Sequence, residues 1–126
     1  MKALLRNPVY NSLRLNDSHL GFTHGLVTAF DEAVSPLAGF EEGYAGGFDD
    51  LHRLLPAGRS ILYVTPHTID TPKAWKLSAA VEGLQFLYEG AAKQVPSQLS
   101  PTPLTKEHVP QMMELAALTR PGPFGP

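Results

Sequence analysis

At 126 residues, 43% of them hydrophobic, the chain is the size of one ordinary domain, enough to bury about two-thirds of the surface its unfolded form exposes. It has no cysteine, which excludes disulfide staples, thiolate nucleophiles and Cys-based zinc sites; ten Lys and Arg against twelve Asp and Glu give a net charge of −2, which argues against nucleic acid or anionic lipid as a partner. Charged residues make up only 17%, below the ~25% of an average domain, so part of the surface is expected to be covered by another domain or subunit.

The amino terminus, Met1 to Pro8, has a charge and two leucines but no sustained apolar run or small-residue cleavage site. No stretch approaches the ~20 apolar residues of a membrane helix, and a cytoplasmic protein is expected. Asn7-Pro8 fits a helix start, with Val9, Tyr10 and Leu13 on one apolar face. Leu26 to Phe30 is β-branched and aromatic enough for a strand, and a second extended piece is expected from Pro36 to Phe40 after the turn-like Asp31-Glu32-Ala33. Phe48, Leu51, Leu54 and Leu55 recur at helical spacing, with Asp49 and Asp50 at the end that favours negative charge, and Pro56-Ala57-Gly58 stops that helix. Ser60 to Thr65 reads as a buried strand and Leu84 to Glu89 as another with alternate side chains on opposite faces, Trp75 to Val81 pairing between them. The expected fold is α/β of the α+β kind: a small mixed sheet holding Leu26–Phe30, Ser60–Thr65 and Leu84–Glu89, covered by the helix Phe48–Leu55.

From Gly90 to Pro103 the composition shifts to Ala, Lys, Gln, Ser and three prolines, a semi-rigid linker. The division falls near residue 95, giving a domain over 1–94 and a second portion over 95–126. In that portion Thr105-Lys106-Glu107-His108 begins a further helix with Val109, Met112, Met113, Ala116 and Ala117 on one stripe.

Local chemistry is sparse. Gly43-Tyr44-Ala45-Gly46-Gly47 before a helix has the form of a phosphate loop, but residues 31–50 hold six acidic side chains and no Lys or Arg, and Asp49 and Asp50 occupy the helix end a phosphate would need. His19, His24, His52, His67 and His108 lack the i, i+4 spacing of two ligands on one helical face, so no metal site is expected. No Gly-x-Ser-x-Gly elbow is present. Glu41-Glu42 and Asp49-Asp50 are adjacent pairs whose side chains diverge, a solvated acidic surface. Met112 and Met113 read as packing residues or as the lining of an adaptable groove.

Leu104 to Phe124, "LTKEHVPQMMELAALTRPGPF", resembles the opening of the catalytic domain in a subgroup of GNAT superfamily N-acetyltransferases, where a Leu-Thr start leads through a Pro- and Met-containing helix to an "ALT-x-PGPF" loop. More loosely, "NPVY", Leu26 to Phe30, "SPLAGF", "LLPAG" and "LQFLYEG" follow the layout of the extra amino-terminal domain of that subgroup. The resemblance implies acyl transfer from acetyl-CoA to an amine. It also implies that the central strands, the acetyl-CoA loop (Arg or Gln, two residues, Gly, one residue, Gly or Ala) and the general acid or base lie beyond Pro126, so that this chain is a truncated portion with no catalytic residue or cofactor site of its own. Arg120 and Phe124 would border the acceptor substrate; alternatively Pro121 and Pro123 only stiffen a turn. Two functions stay open: the amino-terminal portion of such an enzyme, or a non-catalytic binding or assembly module derived from one. In a full-length enzyme the stripe over residues 105–119 would pack on the catalytic sheet; in this chain it is expected to dock against a second copy rather than back on residues 1–95, giving a homodimer.

Overall fold

The computed structural model describes residues 2–91 and 100–120. It opens with one helical turn, α1 (Lys2–Leu5), and a short helix, α2 (Pro8–Arg14). Pro8 sits at the head of α2, where amides have no intrahelical partner to lose. Asn7 takes the N-cap position but its side chain does not cap the helix. Its Nδ2 donates to the Phe40 carbonyl at 2.7 Å instead, tying the helix start to the end of a strand.

After a 3-10 turn at Ser18–Leu20 come β1 (Gly21–His24), β2 (Val27–Phe30) and β3 (Leu37–Phe40), then α3 (Gly47–Leu54) and β4 (Leu62–Tyr63). Among the described residues these strands form one mixed sheet in the order β1-β2-β3-β4, antiparallel up to β3 and parallel between β3 and β4. Parallel neighbours require a crossover, and α3 supplies it. The fold is therefore α+β with a small mixed sheet and covering helices.

Both faces of the sheet are covered, which explains why β2 reads as an unbroken apolar run with all of its residues buried. The period of two sends Val27, Ala29, Ala38 and Phe40 to one face, where they pack with Leu51 and Leu55 of the α3 region. Phe30 points the other way onto Val9 and Leu13 of α2. Thr28, fully buried, satisfies its hydroxyl on the carbonyl of Gly39, its register partner. At Gly39 a Cβ would come within 3.3 Å of the Tyr10 amide, so glycine there is what allows α2 to sit close.

Several expectations require correction. Leu84–Glu89 is not a strand: it lies outside any helix or ladder, and every residue from 81 to 90 is exposed. Its alternating pattern fits a sheet only where a neighbouring strand offers hydrogen bonds and a face to pack on, and none does so among the described residues. Trp75 to Val81 is likewise outside the sheet, although Trp75 itself packs on Phe48 with its Nε1 donating to the Phe48 carbonyl at 3.0 Å. The strand expected over Ser60–Thr65 pairs only at Leu62 and Tyr63.

The β1–β2 hairpin is an addition to the expected elements, and His24-Gly25-Leu26-Val27 carries its signal. Gly25 has φ 58° and Leu26 does not have positive φ, the pattern of a two-residue turn with glycine at its first central position.

In the carboxy-terminal portion a 3-10 turn at Lys106–His108 leads into α4 (Val109–Thr119). The Thr105 amide donates to His108 Nδ1 at 2.9 Å, which fixes the imidazole with Nδ1 as acceptor and closes the helix entrance. α4 departs from the one-sided stripe expected of it. Only Gln111 and Glu114 interrupt its apolar sequence before Thr119; Met112, Met113 and Ala116 are half-buried, and Leu115 and Leu118 on other sides are 62% and 77% exposed. No residue of α4 is fully buried. The expected division near residue 95 and most of the linker fall outside the described residues. No helix among the described residues is long and apolar enough to cross a membrane.

Candidate functional site

A shallow cleft of about 280 Å³ opens beyond the carboxyl ends of the parallel pair β3 and β4. In open sheets with parallel strands this is the end where loops diverge and leave room for a ligand. Its floor is aromatic. Phe40, the last residue of β3, stacks on Tyr63 of β4 with ring centroids 4.9 Å apart and planes 12° from parallel, and Phe48 of α3 meets both rings edge-on. Strand order dictates this contact, because Phe40 and Tyr63 end neighbouring strands on the face that α3 covers.

The polar rim gathers residues from three distant segments. The bond from Asn7 to Phe40 holds the α1–α2 junction at the strand end and so brings Arg6 to Glu42, whose Oε1 receives the guanidinium at 2.9 Å. From the loop after β4, His67 Nε2 lies 3.4 Å from the same oxygen. The His67 amide donates to Thr65 Oγ1 at 3.1 Å, a local turn that aims the imidazole inward. Arg6 first, then His67, hold the Glu42 carboxyl below its ordinary range, and burial pushes the Tyr63 phenol up.

Next to the cleft, the Tyr44 hydroxyl donates to Asp50 Oδ2 at 2.6 Å and Arg53 reaches Oδ1 at 2.8 Å. Asp50 is thereby shifted down, through the Tyr44 bond and then Arg53, while the Tyr44 phenol and the Arg53 guanidinium are shifted up. These bonds neutralise the head of α3. The glycine-rich loop before it makes a turn at Gly43, with φ 84°, and places Gly47 against Phe40.

The cleft can offer an aromatic surface beside a balanced Arg–Glu–His cluster. It has the parts of a binding surface, but His67 has no hydroxyl nucleophile on its ring among the described residues. Among those residues no three His, Asp or Glu side chains converge as a metal site would require. The five histidines are dispersed: His19 and His24 are exposed near β1, His52 packs edge-on to Trp75, and His108 caps the approach to α4.

Arg120 ends α4 in the left-handed region, φ 46° and ψ 54°, with its amide bonded to the Ala116 carbonyl at 2.8 Å. It is exposed and takes no part in the cleft. Phe124, the second residue expected beside the acceptor, lies outside the described residues. Sequence reasoning did not find Arg6, Glu42 and His67 as a group, since they are separated by 36 and 25 residues and only the ends of β3 and β4 bring them together. The available signal was that Glu42 and His67 each closely follow a strand, where a parallel pair puts its loops. No protein-family model, curated protein or solved structure matches the chain.

Proposed function

We propose that the chain is the amino-terminal portion of a GNAT-like N-acetyltransferase, a cytoplasmic enzyme that passes an acetyl group from acetyl-CoA to an amine. The observation that carries this reading is α4. Its sequence, within "LTKEHVPQMMELAALTRPGPF", has the pattern of the first catalytic-domain helix, and its apolar residues run around the circumference with none fully buried. A helix apolar on all sides calls for cover on more than one side, and an isolated helix of this length is marginal in water. The central sheet of an acetyltransferase domain would supply that cover. In this role the sheet unit at the amino terminus shapes the acceptor side or a subunit contact, and Arg120 and Phe124 border the acceptor.

The chain itself has no segment of the form Arg or Gln, two residues, Gly, one residue, Gly or Ala. Acetyl-CoA is thus assigned to the parent enzyme, and this chain alone is inactive. The test is to read the coding sequence downstream of the Pro126 codon and assay the protein it encodes for amine-dependent release of CoA. An in-frame strand followed by the glycine loop, with such activity, is the expected result. A stop codon or an unrelated domain there refutes the reading and leaves the second one, a non-catalytic assembly module, which the missing acetyl-CoA loop favours.

In the isolated chain the bare face of α4 pairs with a second copy. Half-exposed thioethers at Met112 and Met113 adapt to such a contact. Met112→Asp with Met113→Asp is expected to break the contact through α4 while the sheet unit stays folded. A wild-type chain that sediments as a monomer at high concentration removes this proposal, and complete unfolding of the double variant would place the helix in the core of the sheet unit.

A further inference from the structure

Among the described residues the sheet ends at β4, a two-residue edge strand whose only protection is its shortness. Residues 60–65 contain no charge and no proline, whereas sheet edges in soluble proteins are normally blunted by Lys, Pro or a bulge. Side chains there alternate: Ile61, Tyr63 and Thr65 are half-buried, while Leu62 and Val64 point outward at 51% and 45% exposure. A solvated outer face would carry polar residues at these positions, and this one is apolar.

A second segment has the complementary defect. Residues 84–88, Leu-Gln-Phe-Leu-Tyr, also lack charge and proline, lie outside any helix or ladder, and hold Leu84, Phe86 and Tyr88 at 86%, 87% and 68% exposure. Phe86 and Tyr88 by themselves leave roughly 300 Å² of largely apolar surface in water. A segment with an alternating strand pattern but no ladder and an apolar edge with no strand beside it therefore occur in one chain.

We infer that residues 84–88 of one copy add as a strand to the β4 edge of a second copy, laying Leu84, Phe86 and Tyr88 beside the outward Leu62 and Val64. The occupant is a second copy because in the chain's own fold this segment stays off the sheet, and Glu89 at its end is paired with Lys2 of α1 at 2.9 Å. Exchange in both directions is a self-complementary two-fold contact. The two aromatic pairs would then remove roughly 600 Å² from water before Leu62, Val64 and Leu84 are counted, approaching the ~1,200 Å² at which specific interfaces begin. The inference rests on the self-association proposed above only for the existence of a second copy, since its contact is separate from α4.

The test is hydrogen-exchange mass spectrometry on the full chain over a wide concentration range, with sedimentation equilibrium on the same samples. Wild type is expected to gain amide protection at residues 61–64 and 84–88 in step with association. Alternate amides face opposite edges, so of Gln85→Pro and Phe86→Pro at least one removes a ladder donor and is expected to weaken association about tenfold or more and abolish that protection. Met112→Asp with Met113→Asp should retain the concentration-dependent protection at 84–88. If that double variant associates like wild type while a proline variant does not, the α4 contact fails and the strand exchange stands. Loss of the protection in the double variant, unchanged association in both proline variants, or a monomer without protection would each overturn it. Protection independent of concentration would also overturn it, by showing that the segment closes on its own sheet.

Discussion

Replacing Gly47 with alanine separates what helix propensity demands from what packing demands. Gly47 is the first residue of α3, and in a helix interior the exchange of glycine for alanine is worth up to about 1 kcal/mol in favour of the helix, less at its first position. Packing predicts the opposite sign. A Cβ at Gly47 would come under 3.0 Å from three atoms of the Phe40 ring. That ring is held on two sides, stacked on Tyr63 at 4.9 Å and edge-on to Phe48 at 5.1 Å, so it can yield only toward the cleft at the expense of these contacts. Overpacking of this kind costs about 1–3 kcal/mol, and disturbing an aromatic pair adds about 0.5–1.5 kcal/mol. After the propensity gain the net expectation is a loss of about 2 kcal/mol, or a fall in Tm of roughly 8–16 °C for a domain of this size. Urea unfolding followed through the sole tryptophan, Trp75, which packs on Phe48, reports the midpoint directly, and an unchanged denaturant slope shows that the loss is in stability. Gly58→Ala is the control: φ there is 81° with nothing within 4 Å, so only backbone strain, about 1–2 kcal/mol, applies and the cleft is untouched. A Gly47→Ala variant as stable as wild type, or more so, would refute the aromatic floor described above.

Leu51→Ala, at a fully buried position between α3 and the sheet, is expected to cost about 2–5 kcal/mol, and a denaturation midpoint shifted by less than the Gly58 control would mean the two layers are not packed as described. The Tyr44–Asp50–Arg53 cluster gives two pH limits of opposite sign. The Asp50 carboxyl is depressed, so its contribution is complete above the ordinary Asp value, about pH 4, and is lost as pH falls through the folded value; Tyr44 is raised, so its contribution is complete below the ordinary phenol value, about pH 10, and is lost as pH rises through its own folded value. Thermal midpoints should therefore fall less steeply with acid in Asp50→Asn than in wild type, and less steeply with alkali in Tyr44→Phe; parallel profiles would count against the cluster. Calorimetric titration of residues 1–126 with acetyl-CoA is expected to show no binding in the micromolar range, because the only glycine-rich turn before a helix among the described residues is neutralised by its own carboxylate, and measurable heat of that affinity would contradict the proposal that the cofactor belongs to a longer parent protein.

The local features that the sequence determined share one physical cause: each depends on residues a few positions apart. Pro8 after Asn7 starts α2, the spacing of Phe48, Leu51 and Leu54 makes α3, the apolar run through Val27–Phe30 makes a strand buried on both faces, and Thr105 with His108 opens the way into α4. Periodicity reports such elements because hydrogen bonding within a helix, or burial of a whole run, is a near-neighbour property. The small mixed sheet was legible as a class for the same reason. Its membership was not. Leu84–Glu89 has a better strand pattern than Gly21–His24, yet the latter is in the sheet because Gly25 turns it back onto β2 and because Gly21, where a Cβ would collide with Ala29 and Phe30, fits against its neighbour. Pairing depends on what lies alongside, and that is decided only when the chain folds. The candidate site was hidden by the same separation: Arg6, Glu42 and His67 share no motif, and they meet because Asn7 binds the last carbonyl of β3 while β4 lies parallel to that strand and releases its loop at the same end.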